Sequence, residues 1–343
     1  MDLLHSLLQS LLSPVVLAFL LGIVATLVRS DLKIPEQLYA AMTIYLLFAI
    51  GLKGGAKLDG LAWSELARPM TAALFLCAAI PLWSFVILRR LGRFNPTDAA
   101  AVAAHYASVS VVTFGASLTF LDARQVPHEG FLPALLAMME VPGIVVALLL
   151  ARLAKTLPVD TAAAPTPARA LGFVAPGAAV PWGKMLHELL TSKGILLLLG
   201  GLIIGLASGK SGYTQVAPFF EEPFRGVLML FLLEIGLVTG RRLHDLKHAG
   251  LFLGAFALIM PFLHGLLGVW LGQWAGLSVG GATVLGTLAA SASYIAAPAA
   301  VRVALPQANP ALYLTASLAV TFPFNLVVGI PSYFAFAHWL FSA

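Results

Sequence analysis

Two short serine motifs carry the residue types best suited to chemistry in this chain. They read Ala107-Ser108-Val109-Ser110 and Ala290-Ser291-Ala292-Ser293, and each sits inside a long apolar run. Hydroxyls are hydrogen-bond donors as well as acceptors. Each motif is followed by helix-weakening residues: Val111, Val112, Thr113 and Gly115 after the first, Tyr294 and Pro298 after the second. A proline within a span removes a backbone hydrogen bond and frees a carbonyl. Backbone groups freed at membrane depth persist only where protein or a cavity satisfies them. Two helices broken near the same depth would aim two N-termini at one point. Their partial positive charge and unpaired N–H groups suit a small anion. The plainer role for such serines is close helix packing. The repetition of the motif, with breakers beside it, favours binding. Ser108, Ser110, Thr113, Ser291, Ser293 and Tyr294 are the expected substrate contacts.

Ionisable residues inside apolar runs come next, because lipid makes them costly. Glu140 lies just before Pro142, and Asn325 occupies the corresponding stretch near the C-terminus. Together they are a candidate metal site, two oxygen ligands for a coupling cation such as Na+, with freed carbonyls completing the shell. Glu234 lies near Arg241 and Arg242, so an ion pair and a transport role are both open to it. Asp98 reads as a helix N-cap. His105 and His264 read as packed histidines, and Cys77, the single cysteine, as a packing residue. The chain has no nucleotide-binding glycine loop, no H-E-x-x-H and no Cys/His cluster, so nothing points to an enzyme or to a bound cofactor.

The elements that must position these residues are membrane helices. The chain is 60% hydrophobic and 10% charged, against roughly 25% charged in soluble domains. The expected fold is all-α and polytopic, with ten spans at 14–28, 38–52, 70–88, 98–121, 130–153, 195–207, 225–240, 250–274, 279–298 and 313–340. A Pro/Ala-rich stretch, 156–190, reads as a linker between halves 1–155 and 191–343.

The halves resemble each other. Ile50-Gly51-Leu52-x-x-Gly55 has its match at Ile235-Gly236-Leu237-x-x-Gly240, Pro81 at Pro261, the first serine motif at the second, and Val141-Pro142 at Phe322-Pro323. Five spans per half is odd, so the halves must insert in opposite senses, as inverted repeats. Lys and Arg collect after the odd-numbered spans, as in Arg89-Arg90 and Arg241-Arg242. That side is expected to be cytoplasmic, with both termini outside a bacterial inner membrane. These features suggest a secondary transporter of a small anion. A proton-coupled carrier of a small organic acid, a passive anion channel and an anion sensor remain open.

The chain also resembles the sodium-dependent bicarbonate transporters of the SbtA type. The resemblance rests on Ala289-Ala290-Ser291-Ala292-Ser293-Tyr294-Ile295, on Leu305-Pro306-Gln307-Ala308-Asn309-Pro310, on Ile50-Gly51-Leu52-Lys53-Gly54-Gly55 and on Glu140-Val141-Pro142. It implies sodium-coupled import of bicarbonate by an elevator-like motion. It also implies a homotrimer whose subunits divide into a core of spans three to five and eight to ten and a gate of spans one, two, six and seven. A PII-like regulatory protein is the partner implied on the cytoplasmic side. By the same resemblance Ser110, Thr113, Ser291 and Ser293 line the anion site. The chain departs from the family pattern where Tyr294 replaces an aspartate, Ala292 a serine, and Val111 and Val112 a glycine and serine.

Overall fold

Capping residues set where many of these helices begin. Ser13, Asn95, Ser192 and Ser278 each accept a hydrogen bond from a backbone N–H in the first turn that follows, which satisfies a donor that has no partner inside the helix. The computed structural model describes residues 11–156, 183, 187, 190–243 and 246–342. The expected linker lies almost wholly outside the described residues.

In chain order the helices are α1 (Pro14–Leu27), α2 (Glu36–Leu58), α3 (Trp63–Arg90), α4 (Pro96–Ala107), α5 (Val111–Asp122), α6 (Leu132–Met139) and α7 (Pro142–Thr156). After the linker come α8 (Lys193–Phe220), α9 (Phe224–Arg242), α10 (Leu246–Trp274), α11 (Val279–Ala290), α12 (Ala296–Ala304) and α13 (Pro310–Leu314). Two π-helical stretches, Thr315–Thr321 and Asn325–Gly329, lead into α14 (Ile330–Ser342). Seven stretches are long and apolar enough to cross a membrane, and α1 and α11 are shorter apolar helices. The ten spans expected from sequence fall on these stretches and on α9. Length and apolarity alone single out seven, because α1 and α11 are short and α9 carries Arg225, Glu234, Arg241 and Arg242.

The helices pack as two groups. In one, α2 lies along α8 and α1 along α9. Glycines make both seams possible. A Cβ on Gly51 or Gly55 would collide with the Leu198 or Leu202 carbonyl, and one on Gly205 with the Leu52 carbonyl. Gly22 and Gly236 meet the Leu233 and Phe19 carbonyls in the same way. Small residues that let backbones touch are how helices associate in lipid, where apolar burial gives little driving force. Gly205→Leu is therefore expected to lose roughly 3 kcal/mol or more, since the carbonyl it strikes cannot repack. Gly200→Leu, on the same helix with nothing within 4 Å of its Cβ position, should leave the melting temperature in detergent nearly unchanged.

The second group holds α3–α7 and α10–α14. Its two ends are tied by clasps. The Asn309 N–H donates to Asp98 Oδ1 at 2.8 Å, and the Ser278 N–H donates to Glu129 Oε1 at 2.6 Å. Asp98 thus differs from the expected N-cap. Asn95 caps α4 and donates its Nδ2 to Asp98 Oδ2 at 2.6 Å, while Asp98 Oδ1 reaches across to the loop before α13. His264 packs as expected, accepting from Trp83 Nε1 at 2.7 Å and so joining α10 to α3. The Cys77 thiol is buried against the Met139 carbonyl.

Candidate anion site at the crossing of two broken helices

The polypeptide leaves helical geometry at both serine motifs. Ser108 and Ser110 are extended, at φ −106°, ψ 148° and φ −110°, ψ 114°, so α4 stops and α5 starts afresh at Val111. Ser291 is likewise extended, at φ −76°, ψ 159°, between α11 and α12. The first break falls on the serines themselves rather than on the β-branched residues after them. Serine competes for backbone hydrogen bonds and so favours caps over helix interiors.

The two breaks hold each other. The Ser293 N–H donates to the His105 and Ser108 carbonyls at 2.8 and 3.1 Å, and the Ser110 N–H donates to Ser291 Oγ at 2.9 Å. Ser108 Oγ donates to the Glu140 carbonyl at 2.9 Å, and Ser291 Oγ to the Leu288 carbonyl at 2.8 Å. Ser108 and Ser291 therefore build the crossing. Ser110 Oγ accepts from the Thr113 N–H at 3.2 Å and Ser293 Oγ from the Ala297 N–H at 3.3 Å. A hydroxyl that caps in this way uses its oxygen and keeps its proton for another acceptor.

Both of those hydroxyls belong to residues that line one small cavity, together with Tyr294, Glu140, Val109 and Leu47. The N-termini of α5 and α12 lie on either side of it, each bringing N–H groups and positive dipole ends. Its free volume, about 10 Å³, is that of a single water molecule. An anion of several heavy atoms requires the walls to part. Tyr294 occupies part of this space. Its ring meets Phe322 edge-on at 5.6 Å, and its hydroxyl is buried.

Of the residues expected from sequence, Ser110, Ser293, Tyr294 and Glu140 come together at this cavity. Thr113 contributes its amide to the Ser110 cap. Asn325 stands apart from Glu140: its Nδ2 donates to the Ala290 carbonyl at 2.8 Å and its Oδ1 accepts from the Tyr333 hydroxyl at 3.0 Å. Glu140 sits where α6 ends and α7 has not begun, and its Oε2 is buried without a partner. Gly143, just beyond, lets α7 approach the Ala107 carbonyl at the C-terminus of α4. His105 bonds its Nδ1 to the Ala101 carbonyl and stacks on Tyr313. Glu234 pairs with Arg241 at 3.3 Å and does not line the cavity. The sequence reading missed the wall opposite the serines, Leu47 of α2 and Gly194 of α8. Apolar residues in an apolar helix give no signal of their own.

The sequence of the Na+-dependent bicarbonate transporter superfamily matches residues 14–338. That span takes in both serine motifs, every helix around the cavity and nearly the whole chain. This protein belongs to that superfamily. No curated protein matches the chain. The superfamily is one of transporters and not of enzymes, and its members carry an anion across a membrane in dependence on Na+. The paired serine hydroxyls and helix N-termini are donors of the kind such a substrate needs, and the apolar helices around them fit an integral membrane protein.

Proposed function

We propose that this protein imports bicarbonate, or a similarly small anion, in symport with a cation, and that the anion is held at the serine crossing. Sodium is the cation that kinship with the superfamily favours. The observation that carries the reading is the convergence of two broken helices, each presenting an N-terminus and a serine hydroxyl, on one cavity.

The two halves act as inverted repeats in this proposal. Ser108 and Ser291 play equivalent parts, as do Ser110 and Ser293, and each break donates an N–H to the other. The clasps Asp98–Asn309 and Glu129–Ser278 follow the same exchange, each joining the start of one half's broken helix to the loop before the other half's last span. The helix C-termini beside the crossing supply carbonyls, which suit the cation, while the N-termini suit the anion.

Transport then proceeds by an elevator-like shift. The core, α3–α7 and α10–α14, carries the site past the gate, α1, α2, α8 and α9. The gate seams are backbone-to-backbone, whereas the cavity wall between Leu47 and Ser110 joins gate to core through side chains. A homotrimer in the bacterial inner membrane, with both termini outside and a PII-like protein docking on the cytoplasmic side, completes the proposal.

The test is uptake of labelled bicarbonate into proteoliposomes, with and without an inward sodium gradient. Uptake stimulated several-fold by the gradient is expected. No uptake of bicarbonate or of any other small anion under any cation gradient would sink the reading.

A further inference from the structure

A chain of cavities leads away from the serine crossing. The first, about 10 Å³, is an apolar collar that shares Leu47, Val111 and Ile295 with the anion site and adds Phe224 and Leu228. The next shares Ile50 and Phe224 with the collar, widens to about 70 Å³ and is lined by Lys53, Arg225, Asp122 and Glu221. The polar mouth therefore connects to the site through a closed apolar segment, in line with α5 of the core and between α2 and α9 of the gate.

Each cation in the mouth already has an acidic neighbour. Lys53 lies 3.2 Å from Glu221, and Arg225 lies 3.7 Å from Asp122, whose other oxygen faces His128 at 3.2 Å. Both pairs are about half exposed, so each is held weakly. The separations also exceed the 2.7–2.9 Å of tight charge-assisted bonds, roughly speaking. Such cations can share their protons with an arriving oxyanion without first breaking a strong bond. Both belong to the gate, and Asp122 is the one carboxylate of the mouth on the core.

We propose that this mouth is a loading subsite for the small oxyanion, in which Lys53 and Arg225 hold it before the collar opens toward Ser110 and Ser293. The subsite rests on the anion-transport reading and lies on the face proposed to be extracellular. It is separate from the serine contacts. Loss of Lys53 or Arg225 raises the concentration of anion needed for half-maximal uptake and leaves the maximal rate alone, because neither residue touches the anion at the crossing.

The experiment measures thiol labelling of Leu118→Cys, whose native side chain lines the mouth, in the full chain reconstituted in liposomes. Buried Cys77 gives the background in the otherwise wild-type protein. Two methanethiosulfonate reagents are compared, one bearing a sulfonate and one a trimethylammonium group. Lys53→Gln/Glu221→Gln removes the cation while keeping the local net charge. The sulfonate reagent loses a direct charge-assisted contact on that background and should react about fivefold more slowly, with the cationic reagent changing less than twofold. Arg225→Gln/Asp122→Asn is the second variant and should act in the same direction. Unchanged sulfonate rates in a folded double variant overturn the proposal. So does an unaltered half-saturation constant for bicarbonate uptake in the same variants. Labelling needs no transported substrate. If wild type moves no anion yet the sulfonate preference depends on Lys53, the subsite stands and the transport reading alone falls.

Discussion

Ser110→Ala/Ser293→Ala is expected to abolish measurable anion uptake while leaving a folded protein. Each serine offers one hydroxyl proton to a charged acceptor, and a hydrogen bond of that kind contributes about 1.5–3 kcal/mol. Each single variant should therefore weaken anion affinity by roughly 10- to 100-fold. Folding must be separated from binding, because both oxygens also cap helices, and losing a cap costs about 0.5–2 kcal/mol. Thermal melting makes the separation. The double variant should melt lower by no more than the loss of two caps accounts for, while its uptake falls to background. Ser291→Ala is the contrast, since Ser291 Oγ is engaged by the Ser110 N–H and the Leu288 carbonyl. That change should act chiefly on stability. Uptake and equilibrium binding in the purified variants check all four, and full activity in the Ser110/Ser293 double variant would remove the site from the crossing.

Much of this arrangement was legible because membrane helices leave few places for polar groups. Serines, a glutamate and prolines in apolar runs are conspicuous, and two matched motifs point to two matched breaks. Two features were not legible. The sequence suggested that Glu140 and Asn325 act together, since each lies beside a proline in the last span of its half. In space Asn325 is satisfied by Ala290 and Tyr333, while Glu140 faces the cavity. Nearness to a proline along the chain does not convey which cavity a side chain faces. The cavity wall formed by α2 and α8 was hidden for a different reason. Leu47 and Gly194 differ in no way from neighbours that face lipid or another helix, and only the seam between α2 and α8 decides which side of each helix faces the serine crossing.

Glu140→Gln is expected to remove cation stimulation of uptake while raising the stability of the cation-free protein. Glu140 is the carboxylate that lines the cavity. Its Oε2 has no partner among the described residues, and the backbone beside it is fixed by Ser108 and opened by the gap before α7. A buried carboxylate without a counter-charge is a cost to the fold, and a bound cation offsets that cost. Two readouts follow with opposite signs. Wild type should gain thermal stability as sodium rises, as any ligand of the folded state confers, and Glu140→Gln should not respond. Without sodium the glutamine variant should melt higher than wild type, because an amide is cheaper to bury than an unpaired carboxylate. A structural role alone gives the other pattern, with Glu140→Gln melting lower and uptake still stimulated by sodium. Tyr294→Asp then tests whether the crossing accepts a second carboxylate: it should strengthen the sodium response in the Glu140 background and restore part of it in Glu140→Gln, since either carboxylate lies at the cavity where the cation neutralises it.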